Sequence, residues 1–169
     1  NISVQIGNYV AVQDTFLKDN KIHYMNHYVL DYNQELASNF FPQSKEVIRF
    51  YEKYFGDYQW YEDGYKLIEV PYLGMEHQSA VTYGNGFSMY NGVRSKSWPM
   101  YGVIDPLIIH ETGHEWFGNS VTASDPTHIW IHEGLQVYSE AIYFEDKFKS
   151  YEVGVHYLNT LKDRIVNEI

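Results

Sequence analysis

The chain of 169 residues is 44% hydrophobic and carries 22 acidic against 12 basic side chains, which gives a net charge of −10. This size and composition suit one soluble globular domain, and an acidic chain without a Lys/Arg cluster argues against nucleic acid as a partner. No apolar run approaches the roughly 20 residues that span a bilayer, and no targeting segment is visible, so the compartment stays unassigned. Because the chain has no cysteine, disulfides and a thiolate zinc site are excluded.

The N-terminal part of the chain is predicted to form strands. Apolar and polar residues alternate over residues 2–6, and residues 8–16 continue with a second strand. Asp19-Asn20 is typical of a tight turn, and residues 22–30 favour a further strand that returns from it. A β-hairpin preceded by one more strand is therefore expected here.

The middle of the chain is predicted to hold one helix and an interrupted strand. Ser44 is interpreted as the N-cap of a helix that ends at Gly56. Residues 65–70 favour a strand, and Pro71 behind it favours a position at the sheet edge. Residues 78–83 are predicted to resume this strand.

Helices are predicted for the C-terminal part. Asp105 and Pro106 fit the N-cap and the first residue of a helix that ends near Phe117. Further helices are predicted over residues 131–147 and 151–167. Strands followed by helices indicate the α+β class, with a mixed sheet packed against the helices.

The first of these helices carries the run H-E-T-G-H at residues 110–114. Residues four apart share one face of a helix, so His110 and His114 can bind one metal ion together. Glu133, at the start of the next helix, adds a carboxylate; two imidazoles, one carboxylate and a water are the ligands of a catalytic zinc. Glu111 is predicted to act as general base on the metal-bound water. The alternative for the bare motif is an exposed pair of helical histidines, which the apolar run before His110 opposes.

These residues resemble the zinc signature of the aminopeptidase N family, which includes leukotriene A-4 hydrolase: H-E-x-x-H, 18 residues and then Glu. Here residues 115–132 fill the gap. The family's W-F-G-N and W-[LI]-x-E-G blocks are present at residues 116–119 and 130–134, and its upstream G-x-M-E-N box has its counterpart at residues 74–77. The resemblance covers about residues 40 to 145. It implies a partial thermolysin-like zincin domain of the gluzincin type, a mixed sheet with helices that carry the zinc ligands.

The resemblance further implies a zinc-dependent aminopeptidase that holds one zinc ion and releases N-terminal amino acids from peptides. Glu76 would then bind the free α-amine of the peptide, so that only the first peptide bond reaches the metal. Backbone groups of Gly74 and Met75 would hydrogen-bond the substrate as an added strand.

Two departures from the family pattern bear on these expectations. His77 stands where the upstream box usually has Asn, which changes the local hydrogen bonding. The family's transition-state tyrosine lies farther downstream than Ile169. We therefore expect a piece of a larger enzyme, with partner domains outside this chain. Residues 1–35 would link to an N-terminal β-domain, residues 36–169 would form the N-terminal α/β part of the catalytic domain, and a helical C-terminal domain would follow.

A ligating histidine usually donates its second ring nitrogen to an outer acceptor. Glu140, seven residues after Glu133 and nearly on the same helical face, is the candidate acceptor for this role. The alternative is an ordinary solvated glutamate. Tyr138 and Tyr143 are interpreted as packing residues. Two further histidine pairs with spacing four are interpreted as structural: His23 with His27, and His128 with His132.

Two other functions stay open at this point. An endopeptidase of the thermolysin type would use the same metal ligands, but Glu76 argues against it. A zinc-binding but catalytically incomplete fragment would keep the ligands without the distant tyrosine. Loss of one such oxyanion stabiliser typically lowers the rate about a hundred- to a thousandfold.

Overall fold

The computed structural model describes residues 3–87 and 104–162. Within these residues, strands form one mixed sheet in the order β1-β2-β3-β5-β4. Their bounds are β1 (Tyr9–Lys18), β2 (Lys21–Leu30), β3 (Leu67–Glu69), β4 (Gly74–Met75) and β5 (Val81–Tyr83). The helices are α1 (Gln34–Phe40), α2 (Gln43–Phe55), α3 (Pro106–Gly113), α4 (Glu133–Phe148) and α5 (Tyr151–Leu161), with short 3-10 helices at Asp31–Asn33 and Pro126–Ile131. The predicted α+β class with a mixed sheet is confirmed.

The predicted hairpin and its turn are confirmed. β1 and β2 pair antiparallel from Tyr9 opposite Leu30 to Lys18 opposite Lys21. Asp19 and Asn20 have φ values of 49° and 61°, the left-handed conformation that a two-residue hairpin turn requires and that Asn and Asp tolerate.

The strand predicted for residues 2–6 is wrong over its described part, because residues 3–8 form no strand. Val4 and Ile6 are 71% and 91% exposed. Among the described residues no neighbouring strand pairs with this segment. Without such a partner its backbone gains no sheet hydrogen bonds.

The centre of the sheet differs from the predicted single interrupted strand. β3 pairs parallel with both β2 and β5, whereas β4 pairs antiparallel with β5 and lies at the sheet edge. Residues 78–83 therefore do not resume β3 but contribute the separate strand β5. Pro71 lies between β3 and β4, where it interrupts no ladder.

The crossover from β2 to β3 contains one helix more than predicted. α1 buries only Ala37 among its seven residues, so its apolar stripe is too narrow to stand out in the sequence. α2 begins at Gln43 behind Pro42, and the Ser44 hydroxyl donates to the Phe41 carbonyl at 2.7 Å. Ser44 is therefore not the predicted N-cap, because Pro42 already fixes the helix start.

The core lies between the inner face of the sheet and the helices α2 and α3. Every residue of α3 except His110 is buried. α3 can therefore carry an apolar run, since it is enclosed by the sheet, α2 and α4. The core side chains include Met25, Val29, Leu67, Val81 and Tyr83 from the sheet, with Val47, Ile48, Tyr51, Leu107, Ile108 and Ile109 from the helices.

Gly113 allows α3 to approach its neighbours closely. A Cβ atom at Gly113 would lie 2.1 Å from both Gln136 Oε1 and Tyr51 Oη, too close for any side chain. The Gln136 amide donates to Tyr51 Oη at 2.9 Å and to the Ile109 carbonyl at 3.2 Å. This buried network ties α2, α3 and α4 together.

The two C-terminal helices pack against each other. The rings of Phe144 in α4 and Tyr157 in α5 lie 5.0 Å apart. The end predicted for the last helix, at residue 167, falls outside the described residues. No helix in the described part of the chain combines the length and the apolar character needed to cross a membrane.

Candidate metal centre

Three ligand atoms converge where α3 faces the start of α4. The Nε2 atoms of His110 and His114 lie 3.2 Å apart. The Glu133 carboxylate oxygens lie 3.5 Å from His110 Nε2 and 3.7 Å from His114 Nε2. Ligand atoms about 2.0–2.1 Å from one tetrahedral zinc ion are about 3.3 Å apart. The three separations therefore fit a single ion of this size.

The tautomers of both histidines are set by their Nδ1 contacts. His110 Nδ1 lies 2.6 Å from Glu140 Oε1, and His114 Nδ1 lies 2.8 Å from the Phe117 carbonyl oxygen. Both acceptors require a proton on Nδ1, so each neutral ring turns an Nε2 lone pair toward the other. Two lone pairs this close need a cation or a proton between them. The donor set thus fits zinc with three protein ligands and one open position.

The local sequence explains where α3 starts and how it presents the two histidines. The Asp105 side chain accepts from the Leu107 amide at 2.8 Å and Pro106 takes the first helical position, so the predicted N-cap is confirmed. α3 ends at Gly113, earlier than predicted, but the amide of His114 still donates to the His110 carbonyl. The two rings stand at 89° with centroids 4.7 Å apart.

Glu133 occupies the first residue of α4. At this position the free amides of a helix N-terminus favour a negative charge. The contact with His110 lowers the pKa of Glu133 below its usual value, although partial burial opposes this. A carboxylate ionised at neutral pH is the form that a metal ligand needs.

The pKa values of the two histidines are shifted in opposite directions. Burial lowers the pKa of His110, but its contacts with Glu133 and Glu140 outweigh burial and hold the pKa well above 6.5. Burial and the neighbouring His110 lower the pKa of His114. The values diverge because a proton on His110, which contacts two carboxylates, disfavours a second positive charge on the adjacent His114 ring.

Glu111 is buried beneath the edge strand β4. Burial raises its pKa to about 7, opposed by His110, while the carboxylate of Glu76 raises it further. A Cβ atom on Gly74 would lie 2.8 Å from Glu111 Oε1, so the backbone of β4 passes directly over this carboxylate. Glycine at this position leaves the space that Glu111 occupies.

The residues assigned to substrate binding lie beside the ligands. Side-chain atoms of Glu76, Glu111 and His114 fall within 4.8 Å of one another. Gly74 and Met75 form β4 at the sheet edge, and Met75 is exposed. A cleft of about 1070 Å³ borders Met75, Glu76 and His77. The structure therefore brings all the predicted site residues together around one centre.

Two residues that were not predicted hold this arrangement. Glu115 is 1% exposed, and its Oε1 accepts from the Ser79 amide at 2.7 Å. Burial raises the pKa of Glu115 to about 8, although the Ser79 amide lowers it. The Asn119 side-chain amide donates to the Glu76 carbonyl at 2.9 Å. The one available signal in the sequence is an acidic residue that directly follows the candidate ligand His114, in the turn after α3.

His27, His132 and Tyr143 form hydrogen bonds with groups other than the candidate ligands. His27 Nδ1 accepts from the Leu67 amide at 3.0 Å, and His132 Nε2 accepts from the Ala123 amide at 2.9 Å. Tyr143 is buried and its hydroxyl donates to Glu46. Tyr138 is 56% exposed, so its predicted packing role is wrong within the described part of the chain, because its position in α4 faces outward.

A comparison with known families decides the assignment. Residues 40–168 match the model of the peptidase family M1 domain. The chain belongs to peptidase family M1. This confirms the family that the motifs of the sequence predict.

Relatives of this M1 chain are aminopeptidases. Human endoplasmic reticulum aminopeptidase 2 is 29% identical over 132 residues, which cover 74% of this chain and 13% of the relative. Aminopeptidase M1 of Arabidopsis thaliana is 28% identical over 96 residues, which cover 55% of this chain and 11% of the relative. The chain thus spans about an eighth of the length of these curated relatives.

A solved structure shares the fold of this M1 domain. A mutant of the M1 zinc metallopeptidase from Deinococcus radiodurans superposes with a TM-score of 0.69 at 14% identity and covers 95% of this chain and 34% of that chain. The thermolysin-like catalytic fold predicted for the chain, present in part, is confirmed.

Proposed function

We propose that this M1 domain is the metal-binding part of a zinc aminopeptidase, which hydrolyses the first peptide bond of a peptide with a free N-terminus. The observation that carries the proposal is the Glu76 carboxylate beside Glu111 and His114. A carboxylate at this place can pair with an α-ammonium group and hold it one residue away from the hydrolysed bond. The aminopeptidase names of the relatives support the same activity.

His110, His114 and Glu133 would hold the zinc ion, and Glu140 would orient His110 through its Nδ1 proton. When bound, zinc lowers the pKa of a coordinated water toward neutrality and polarises the scissile carbonyl. The surrounding protein holds both imidazole rings in a fixed orientation, because each histidine is hydrogen-bonded through Nδ1, on the side away from the metal.

Glu111 would act as the general base. It would accept a proton from the attacking water and then deliver that proton to the leaving amine. Burial beneath Gly74 limits the positions of its carboxylate, which stays within reach of His114 and Glu76.

Glu76 and the edge strand would place the substrate. The peptide would add to β4 through backbone groups of Gly74 and Met75, while Glu76 pairs with its ammonium group. In this arrangement the chain beyond the first residue extends toward His110 and His114, and an N-blocked peptide lacks the charge that Glu76 requires.

The alternatives are less well supported. A thermolysin-type endopeptidase would place an uncharged amide against Glu76, which leaves a carboxylate without its counter-charge. A zinc-binding fragment without activity would have no use for Glu111 beneath β4. We propose instead that other parts of the protein add the oxyanion-stabilising tyrosine, and that residues 1–35 connect to a preceding domain. That boundary falls inside α1 (Gln34–Phe40), and β1 and β2 on its N-terminal side belong to the same sheet as β3.

The test is hydrolysis of alanyl- and leucyl-p-nitroanilide and of their N-acetylated forms by the zinc-loaded protein, with and without a chelator. Chelator-sensitive turnover of the free-amine substrates, lost in Glu76→Ala and kept in Glu62→Ala, is expected. Glu62 is an exposed glutamate away from the ligands. Equal turnover of free and acetylated substrates would refute the aminopeptidase proposal.

A further inference from the structure

A buried carboxylate directly behind a metal ligand carries a further inference. Glu115 follows His114 and is 1% exposed, and its Oε1 accepts from the backbone amide of Ser79 at 2.7 Å. Carboxylates are seldom buried unless a specific partner holds them. Its partner here is a backbone group in the segment that follows Glu76.

The segment 76–80 is a tight turn that needs an external acceptor. Ser79 has a φ of 54°, in the left-handed region that residues other than glycine rarely adopt. The Ala80 amide donates to the His77 carbonyl at 2.9 Å, and the Tyr58 hydroxyl lies 3.0 Å from Ser79 Oγ. The Ser79 amide is buried in this turn, and Glu115 is the group that satisfies it. Without that acceptor a buried donor is left unpaired, which opposes this conformation.

A second contact joins the same two parts of the chain. The Asn119 side chain donates to the Glu76 carbonyl at 2.9 Å, and the Asn119 amide donates to the His114 carbonyl at 2.9 Å. The Glu76 segment is thus attached at both ends to the turn that carries His114. The relative position of Glu76 and the metal ligands therefore depends on these contacts rather than on β4 alone, which is only two residues long.

We propose that Glu115 is a positioning residue: it holds segment 76–80 against the His114 turn and so fixes the Glu76 carboxylate relative to the metal ligands. The role of Glu76 as ammonium site is that of the proposed function, on which this inference rests. Glu115 touches no substrate. Its contribution is to keep the ammonium site at the distance from the metal that one amino-acid residue spans.

The test compares three variants with the zinc-loaded wild-type protein. Glu115→Leu removes the acceptor at similar volume, Glu115→Met removes it with a more flexible side chain, and Glu115→Gln keeps a carbonyl oxygen for the Ser79 amide. Zinc content and thermal melting identify the folded, loaded samples. Hydrogen–deuterium exchange of segment 76–80 reports the contact itself. The kinetic readout is the ratio of kcat/KM for alanyl-p-nitroanilide to that for N-acetyl-alanyl-p-nitroanilide.

In the Leu and Met variants we expect faster exchange over segment 76–80 and a KM for the free-amine substrate that rises about 10- to 100-fold. As this KM rises, the ratio of kcat/KM for the free-amine substrate to that for the acetylated substrate is expected to fall, while the zinc content stays full. The ratio is expected to recover in Glu115→Gln. If the Leu or Met variant showed the same rate of hydrogen–deuterium exchange over segment 76–80 as the wild type, the proposal would be overturned. An equal loss for both substrates would also overturn it, as would failure of both variants to fold while the Gln variant folds, since each indicates a structural role alone.

The two proposals fail in different ways. If wild-type protein does not prefer the free amine, or if Glu76→Ala keeps that preference, the proposed function fails. Exchange over segment 76–80 then still decides whether Glu115 holds the segment. If the preference is present and depends on Glu76 but survives in Glu115→Leu, only the inference about Glu115 fails.

Discussion

Glu140 binds the His110 ring at Nδ1, 2.6 Å away, while Glu133 faces Nε2 of the same ring at 3.5 Å. The imidazole is thus held between two carboxylates that both project from α4. Only one of them is placed to bind a metal, because Nδ1 points away from His114. Glu140 is 2% exposed, so its contact is shielded from water.

Replacement of Glu140 is expected to weaken zinc binding in two steps. Glu140→Gln keeps an acceptor for His110 but loses the charge, and Glu140→Leu loses both. We expect affinities about 10-fold and about 100-fold lower, respectively. Competition with a chromogenic chelator measures both values. Glu152→Gln removes an exposed glutamate of α5 and should leave the affinity unchanged. An unchanged affinity in Glu140→Leu would contradict a role in orienting His110.

Glu111→Gln is expected to lower kcat/KM about 10²- to 10⁴-fold, because the amide cannot accept the proton of the attacking water. Zinc content should stay at the wild-type level, since Glu111 is not among the three ligands. Turnover of alanyl-p-nitroanilide and elemental analysis measure the two quantities, with Glu62→Gln as the matched control. Retention of more than a tenth of the activity would argue against a general base at this position.

Gly74→Ala is expected to displace the Glu111 carboxylate. The new Cβ atom would lie 2.8 Å from Oε1 and 3.1 Å from the Cδ atom, and the side chain is the part that can move. We expect kcat/KM to fall about 10- to 100-fold with zinc content preserved. In the control Gly134→Ala the new Cβ atom meets only Trp130 Cβ at 3.6 Å, an ordinary contact. If Gly74→Ala has wild-type kinetics, the backbone of β4 moves to accommodate the methyl group and Glu111 keeps its position.

The stability of the fold is expected to fall in mild acid because of His27. Burial lowers the pKa of His27 from 6.5 to about 4; Asp14 opposes this shift, and Lys45 adds to it. Between these values the unfolded chain binds more protons than the folded one. The contribution of His27 to the free energy of unfolding is therefore complete above pH 6.5. It falls by about 3 kcal/mol as the pH drops to 4.

Urea unfolding at pH values from 4 to 7 tests the His27 prediction. His27→Asn keeps an acceptor for the Leu67 amide but does not titrate, so its stability should vary less over this range. His128→Asn, at an exposed histidine, should retain the wild-type pH dependence. Identical slopes for His27→Asn and the wild type would refute the assignment.

The candidate metal ligands could be predicted because helical periodicity alone brings His110 and His114 together, and the family resemblance adds Glu133. Glu140 could be predicted for the same reason, since seven residues complete two turns of α4. The strand at residues 2–6 shows the opposite case. Alternation predicts which faces a strand would have, but not whether a neighbouring strand exists to pair with it.

Glu115 and Asn119 could not be predicted because their partners are backbone groups. The Ser79 amide and the Glu76 carbonyl lie 36 and 43 residues away in sequence, respectively. Backbone groups are the same at every position, so no residue type marks them. The sequence did not predict α1 either. Only one of its seven residues, an alanine, is buried, so no helical period of apolar residues can be detected.

The packing at Gly113 restricts which sequences can fill the motif. In H-E-x-x-H the two middle positions count as free, yet here the second of them faces Gln136 and Tyr51 with no room for even a methyl group. A side chain there would push α4 away from α3 and move Glu133 away from His110 and His114. In chains that place a larger residue at this position, the opposing surfaces of α2 and α4 must be smaller, so substitutions at these three positions should occur together.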